Sequence, residues 1–585
     1  MVDKKYTWAT EDIYKSVEEW EQSYKNVESM LDFSDFQGKL GDPQVFYKFT
    51  EKDALVNREI GKLSVYAMMK HDENTKISLY YSLAAKISSL CSIYGSKVAF
   101  VRPELTALDK EVLVSYINNP LLKDYSYQLT CILKEKAHVL SDSEEKLLAE
   151  GGEVFSCFSD IFGKIDNADL PLGKIRHNGK TIKLTHGTYS VLLQNPDRKL
   201  REKAFKKYYQ SYISLINTIS STYYGNVKKN VFLAKARKYD SVLQKALAGE
   251  DVSEKVYNNL LTSVNQALPL LHRYIAEKKK LLKLNEMHMF DMYVPVVEGV
   301  DLKLEYDKAY DLVVKGLEPL GKEYCDLLEK ARCERWIDVY EGEGKRSGAY
   351  SVAVYDTHPY VLLNYQQTTH DVFTIAHEMG HSLHSYFSNK NQPYAKADYT
   401  IFVAEVASTV NEVLLIKYLL KTATEKKLRK YLLSYLLEMI RTTLFRQTQF
   451  SEIESFAHAL VEKGEPLTKD NMNQEYLRLN KKYYGDAVVS DEQIQYEWAR
   501  IPHFYRAFYV YKYSTGIISA LAIAERILTK GQEAVDDYFK FLSSGCMDSP
   551  VELLKLAGVN LEDKKTFEDA FKTFESVLNE FISLG

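Results

Sequence analysis

The stretch Thr374-Ile375-Ala376-His377-Glu378-Met379-Gly380-His381-Ser382-Leu383-His384 holds two histidines four residues apart, with a glutamate directly after the first. An α-helix advances one turn in just under four residues, so a helix here places both imidazoles on one face, one turn apart. From there both can reach a single tetrahedral Zn2+ at about 2.0–2.1 Å. Glu378 is then within reach of a metal-bound water as a general base. Thr369 or Asp371 is the candidate cap for the start of this helix. His384 lies seven residues after His377, near the same face, where packing or lining is favoured over ligation.

Clustering separates this motif from two unrelated histidines on a solvated helix. Of 13 histidines in 585 residues, His358, His370, His377, His381 and His384 fall in this one region. A catalytic zinc needs a third protein ligand and an open position. Ser382-Leu383-His384-Ser385 does not continue as a third-histidine extension, so the ligand must come from elsewhere. Phe402-Val403-Ala404-Glu405-Val406-Ala407-Ser408 places a carboxylate in an apolar stretch, where it would be costly without a compensating charge. Glu412, two turns on, is the alternative ligand, or a partner that orients a ligating histidine.

Outward from the motif the chain reads as mainly α. Before it, Trp336–Tyr340, Ala349–Tyr355 and Pro359–Tyr365 read as three short strands. The first two are separated by a loop holding Gly342, Gly344 and Gly348. They predict a small β-sheet beside the metal-binding helix. Helical periodicity marks residues 11–32, 43–70, 75–100, 105–117, 142–163, 197–237, 253–284 and 305–332, and dominates again after the motif. Around Asn178-Gly179, residues 175–184 alternate as a β-hairpin. That break suggests an N-terminal helical domain over residues 1–190, ending in the hairpin, and a catalytic domain over 191–585.

Composition narrows the function. Lys and Arg number 76 against 80 Asp and Glu, a net charge of −4, so no basic excess drives nucleic-acid binding. No run of about 18 apolar residues predicts a membrane span. The N-terminus lacks the apolar core of a signal peptide. The six scattered cysteines read as buried free thiols. These features together predict a cytoplasmic protein that needs neither membrane nor nucleic acid. The absence of a sustained heptad run leaves the oligomeric state unread.

A second candidate cluster lies in His503-Phe504-Tyr505-Arg506-Ala507-Phe508-Tyr509-Val510-Tyr511-Lys512-Tyr513. Tyr509 and Tyr513 are four apart, so a helix would aim both phenols one way, with His503 able to join them. Such donors suit an oxyanion formed during hydrolysis, although aromatic stripes are more often core in a chain with 44 tyrosines.

Together these segments resemble the oligoendopeptidase F group of the thimet-oligopeptidase-like zinc peptidases. The resemblance rests on Gly344-Lys345-Arg346-Ser347-Gly348-Ala349-Tyr350-Ser351, on Thr357-His358-Pro359-Tyr360-Val361-Leu362-Leu363-Asn364-Tyr365, on the His377–His384 motif, on Phe402–Thr409 and on Pro502–Gly516. It implies a large helical fold with a deep substrate channel between two lobes. It also implies hydrolysis of internal bonds in short peptides. By it, His377, His381 and Glu405 are zinc ligands and Glu378 the general base. His503, Tyr509 and Tyr513 become the substrate-binding and oxyanion-stabilising set, with Tyr505 or Tyr511 able to take one of those places. Gly348-Ala349-Tyr350 becomes an edge strand that pairs with substrate backbone, which would tolerate many side chains. His358 and Tyr505 are counted with the substrate-binding residues. Zinc is preferred over manganese or cobalt by ligand type. The competing readings are a carboxypeptidase-like zinc exopeptidase and a non-catalytic, peptide-binding helical scaffold.

Overall fold

The structure is a computed structural model that describes residues 3–297, 299–300 and 302–585. The fold is mainly α. Its chain divides into two compact units, each assembled from three separate segments. One comprises Met1–Val139, Asp301–Lys421 and Ser519–Asn560; the other comprises Leu140–Val300, Thr422–Ile518 and Leu561–Gly585. This partition by compactness is discontinuous, and so differs in kind from a division along the chain at residue 190. No helix among the described residues is long and apolar enough to cross a membrane.

In the first unit the helices Val17–Met30, Pro43–Glu73 and Ser78–Val98 bury one stripe each, from Trp20 and Val27 through Phe46, Phe49, Val56 and Leu63 to Leu83 and Leu90. Pro43 occupies the first turn of its helix, and the Asp42 carboxylate accepts from the Gln44 and Val45 N–H groups, so this end is both pre-shaped and capped. Several expected helices are interrupted. Residues 105–117 divide between Val101–Ala107 and Lys110–Ile117, and residues 142–163 divide at Gly151. Residues 305–332 divide at Gly321, whose φ of +88° no α-helix accommodates. The breaks fall at residues with turn chemistry that an average over a long window conceals.

The hairpin is present as strands β1 (Lys174–His177) and β2 (Lys180–Lys183), antiparallel, with His177 opposite Lys180. Asn178 and Gly179 both have positive φ, +48° and +76°, as a two-residue turn of this hand requires. A two-residue parallel ladder joins β3 (Met287–His288) to β7 (Val488–Val489). The predicted three-stranded sheet consists of β4 (Ile337–Asp338), β5 (Tyr350–Val352) and β6 (Tyr360–Leu362) in the order β4-β6-β5. β4 runs parallel to β6 and β5 antiparallel to it, so β5 is an edge strand. None of the six cysteines is fully buried: Cys157 and Cys333 are exposed and the others half-buried, which corrects the expectation of buried thiols.

Candidate active site

The metal motif lies on helix α1 (Thr369–Asn391), as its spacing predicts. The cap is neither Thr369 nor Asp371 but Thr368. Its hydroxyl accepts from the Asp371 N–H at 3.2 Å, while the Asp371 carboxylate accepts from the Thr368 N–H at 2.9 Å. This reciprocal box satisfies two of the donors that a helix start leaves unpaired. Thr369 instead accepts from the Leu302 N–H at 2.9 Å. Ile375, Ala376, Met379 and Leu383 are buried along α1, while His377 and His381 remain half-buried.

Helix α2 (Ile401–Thr422) crosses α1 at Gly380. A Cβ at Gly380 would lie 2.5 Å from Ser408 Cα and 2.7 Å from the Ala407 carbonyl oxygen, so the two backbones meet where only glycine fits. Asn411, wholly buried, locks the crossing: its amide donates to the Ala376 carbonyl at 3.0 Å and its oxygen accepts from the Tyr324 hydroxyl at 3.0 Å. Sequence reading missed Asn411, which carries no local signal. Gly380 did carry one, since glycine inside a helix costs roughly 1 kcal/mol and needs a packing reason.

The crossing sets three side chains together. His377, His381 and Glu405 each offer a ligand atom within 4.8 Å of the other two. Glu405 Oε2 is 3.3 Å from His377 Nε2 and 3.6 Å from His381 Nε2. Glu412 reaches the other side of the first ring, with Oε1 2.6 Å from His377 Nδ1. That contact turns His377 Nε2 toward Glu405, as a carboxylate behind a metal-binding histidine does. Burial opposes ionisation of Glu405, but hydrogen bonds from His377 and His381 prevail and hold its carboxyl well below the usual range. Burial likewise works against a charged His377, yet Glu405 and Glu412 raise it. Two imidazole nitrogens and one carboxylate oxygen at these separations fit a divalent transition metal. Glu378 is buried, and desolvation raises its carboxyl against the pull of His377 and His381. His384 is also buried, stacks on Tyr399 at 3.8 Å and 9°, and stands outside the three-residue cluster.

The edge strand is tied directly to this helix: Ser351 Oγ on β5 lies 2.8 Å from Ser382 Oγ on α1. Gly348 and Ala349, just before β5, are exposed, and the Asn364 amide donates to the Gly348 carbonyl at 2.7 Å. The Tyr350 hydroxyl donates to the buried Asp72 at 2.9 Å. His358 lies flat on Trp336 at 4.8 Å and 3°, with Nε2 2.9 Å from Asp12 Oδ2 and Nδ1 2.8 Å from the Pro359 carbonyl oxygen. Both its ring nitrogens are thus engaged within the fold.

In the other unit, His503, Tyr509 and Tyr513 form a three-ring group. Their centroids are 5.6–5.8 Å apart, and the Tyr513 hydroxyl is 3.3 Å from His503 Nε2. The expected shared helix is corrected. Helix α4 (Tyr511–Lys530) begins two residues after Tyr509, so only Tyr513 is helical and a turn delivers Tyr509. Burial, then the Arg506 and Arg446 charges, lowers His503 and favours its neutral form. Tyr505 is buried and stacks on Phe162 at 4.5 Å, and Tyr511 packs edge-on against Tyr257 at 5.4 Å. Neither belongs to the three-ring group.

A mainly helical chain carrying an H-E-x-x-H helix crossed by a glutamate-bearing helix has the build of a metal-dependent peptidase. Residues 191–573 match the model of Peptidase family M3, and residues 104–171 match a second model described as Oligopeptidase F. The chain therefore belongs to peptidase family M3 and is a metallopeptidase. It is 42% identical over 583 residues to the oligopeptidase PepF of Bacillus subtilis, covering 99% of this chain and 87% of that one. The crystal structure of oligoendopeptidase-F from Enterococcus faecium superposes with a TM-score of 0.75 at 36% identity, covering 97% of this chain and 99% of that one. A solved chain from Chlamydophila abortus gives 0.94 at 34% identity, covering 100% and 99%.

Proposed function

We propose that this metallopeptidase is a zinc endopeptidase that hydrolyses internal peptide bonds of short oligopeptides. The observation that carries this reading is the convergence of His377, His381 and Glu405 within 4.8 Å, beside an intact Glu378. The names of the Bacillus and Enterococcus relatives support oligopeptides as the substrate class.

His377 Nε2, His381 Nε2 and a Glu405 oxygen would hold the zinc, with Glu412 orienting His377 from behind. When bound, zinc supplies Lewis-acid polarisation of the scissile carbonyl and lowers the pKa of its water toward about 7. Glu378 takes the proton from the attacking water and passes it to the leaving nitrogen as the C–N bond breaks. Tyr509, Tyr513 and His503 are assigned to donate to the carbonyl oxygen as it gains charge. The β5 edge, with Gly348, Ala349 and Tyr350, is assigned to pair with substrate backbone.

The test is mass spectrometry of an end-blocked, internally quenched peptide incubated with wild type and with Glu378→Gln. An internal cut by wild type alone supports the endopeptidase and the role of Glu378. Trimming confined to an unblocked peptide would replace it with an exopeptidase. Binding without cleavage of either would leave a peptide-binding scaffold.

A further inference from the structure

Glu454 is a carboxyl with no part in the chemistry described so far. It is 1% exposed, in the middle of helix α3 (Arg446–Glu462). Its Oε1 accepts the backbone N–H of Phe508 at 2.7 Å. Phe508 is the residue directly before Tyr509, and its φ is +52°, a left-handed conformation uncommon for a side chain of this size. Such a conformation persists only where its surroundings impose it.

Those surroundings come from one face of α3 and from Tyr257 on the helix Glu254–Leu281. His458, one turn after Glu454, has Nδ1 2.9 Å from the Glu454 carbonyl oxygen and Nε2 3.1 Å from Asn230 Nδ2. Its ring packs against the Phe508 ring at 5.0 Å, and Tyr257 meets that ring edge-on at 5.8 Å. Glu454 therefore holds the Phe508 backbone while His458 and Tyr257 hold its ring. The chain turns at this point, between the short helical turn Pro502–Tyr505 that bears His503 and the helix that bears Tyr513. Tyr509 follows this turn directly and packs on the rings of His503 and Tyr513 at 5.7 and 5.6 Å.

We propose that Glu454 is a positioning residue for the His503–Tyr509–Tyr513 group: by accepting the Phe508 N–H it fixes the left-handed turn that brings Tyr509 onto His503. This rests on the assignment of those three residues to the oxyanion in the proposed function. Burial pushes the Glu454 carboxyl up to about 8, against the Phe508 N–H and the charge of Lys512, which itself pairs with Glu250. Burial thus favours the neutral acid, whose carbonyl oxygen serves as acceptor for the Phe508 N–H. Glutamine reproduces that oxygen; leucine and aspartate, one lacking it and the other too short, do not.

The experiment compares kcat and KM of metal-loaded Glu454→Gln, Glu454→Leu and Glu454→Asp on the quenched peptide, with Tyr509→Phe, His503→Ala and the double variant Glu454→Leu/Tyr509→Phe alongside. Thermal unfolding of each variant reports folding. The expected result is kcat within about twofold of wild type for Gln and a fall of about 10-fold or more for Leu and Asp, with KM changed far less. The double variant should be no slower than the slower single, because both lesions remove the same donor. Wild-type kcat in folded Leu or Asp variants, alongside slow Tyr509→Phe and His503→Ala, overturns the role of Glu454 and leaves the oxyanion assignment standing. Should the Leu variant not fold, wild-type kcat in Asp overturns the proposal by itself. Wild-type kcat in both Tyr509→Phe and His503→Ala instead removes the oxyanion assignment, and this proposal falls with it.

Discussion

Gly380 on α1 faces Ser408 on α2 so closely that a Cβ on the glycine would come within 2.5 Å of the serine Cα. The contact is backbone against backbone, so no side-chain rotation relieves it. Gly380 lies between the two histidines of the motif, and Ser408 is one turn beyond Glu405. The helix spacing here sets how far the carboxylate stands from the imidazoles.

Gly380→Ala should therefore separate the helices. Overpacking of this kind costs about 1–3 kcal/mol, and the larger effect should be on the metal. The expected outcome is a protein that folds with a lowered melting temperature and binds metal substoichiometrically after mild chelation. Elemental analysis after dialysis checks it, and full metal retention would contradict it.

Glu412→Gln tests the contact behind His377. The amide oxygen can still accept from the ring, but the negative charge that raises the basicity of His377 is gone. Metal affinity should fall by about 10–100-fold, measured by competition with a chromophoric chelator. Glu405→Gln removes a proposed ligand and should fall further.

Tyr509→Phe and Tyr513→Phe each remove one hydroxyl and keep the ring. If these hydroxyls donate to the reacting oxygen, kcat should fall by about 10–1000-fold with little change in KM. Steady-state kinetics on the quenched peptide decides this, and a rise confined to KM would assign them to ground-state binding.

Glu454 should make stability depend on pH. Its folded pKa, about 8, lies above the ordinary value of 4.5. Between these limits the folded chain keeps a proton that the unfolded chain has lost, so its contribution to stability is full below about 4.5 and falls as pH rises to about 8. The slope is about 1.4 kcal/mol per pH unit within that window. Glu454→Gln should lack this component, so its stability relative to wild type should rise with pH. Denaturant melts at pH 5 and pH 8.5 check the sign.

Much of this was legible from local pattern. The H-E-x-x-H helix, the Asn178-Gly179 hairpin, the three short strands before the motif and the mainly α class all follow from interactions spanning a few residues: the helical turn, the alternation of a strand, and a turn that requires positive φ. The pairing of Glu405 with both histidines was legible as one of two alternatives, because a carboxylate in an apolar stretch demands a partner.

The rest depended on contacts between residues distant in the chain. Whether Glu405 or Glu412 faces His377 Nε2 is settled only by the way α2 lies across α1, and that depends on Gly380, Ser408 and Asn411. Tyr509 and Tyr513 have the spacing of a helix, yet the helix starts after Tyr509. A carboxyl on another helix captures the Phe508 N–H and turns the chain instead. Sequence alone determined which side chains were available and which local elements bore them. Tertiary structure decided which of them meet, because packing distance and hydrogen-bond capture act across space and leave no periodicity along the chain.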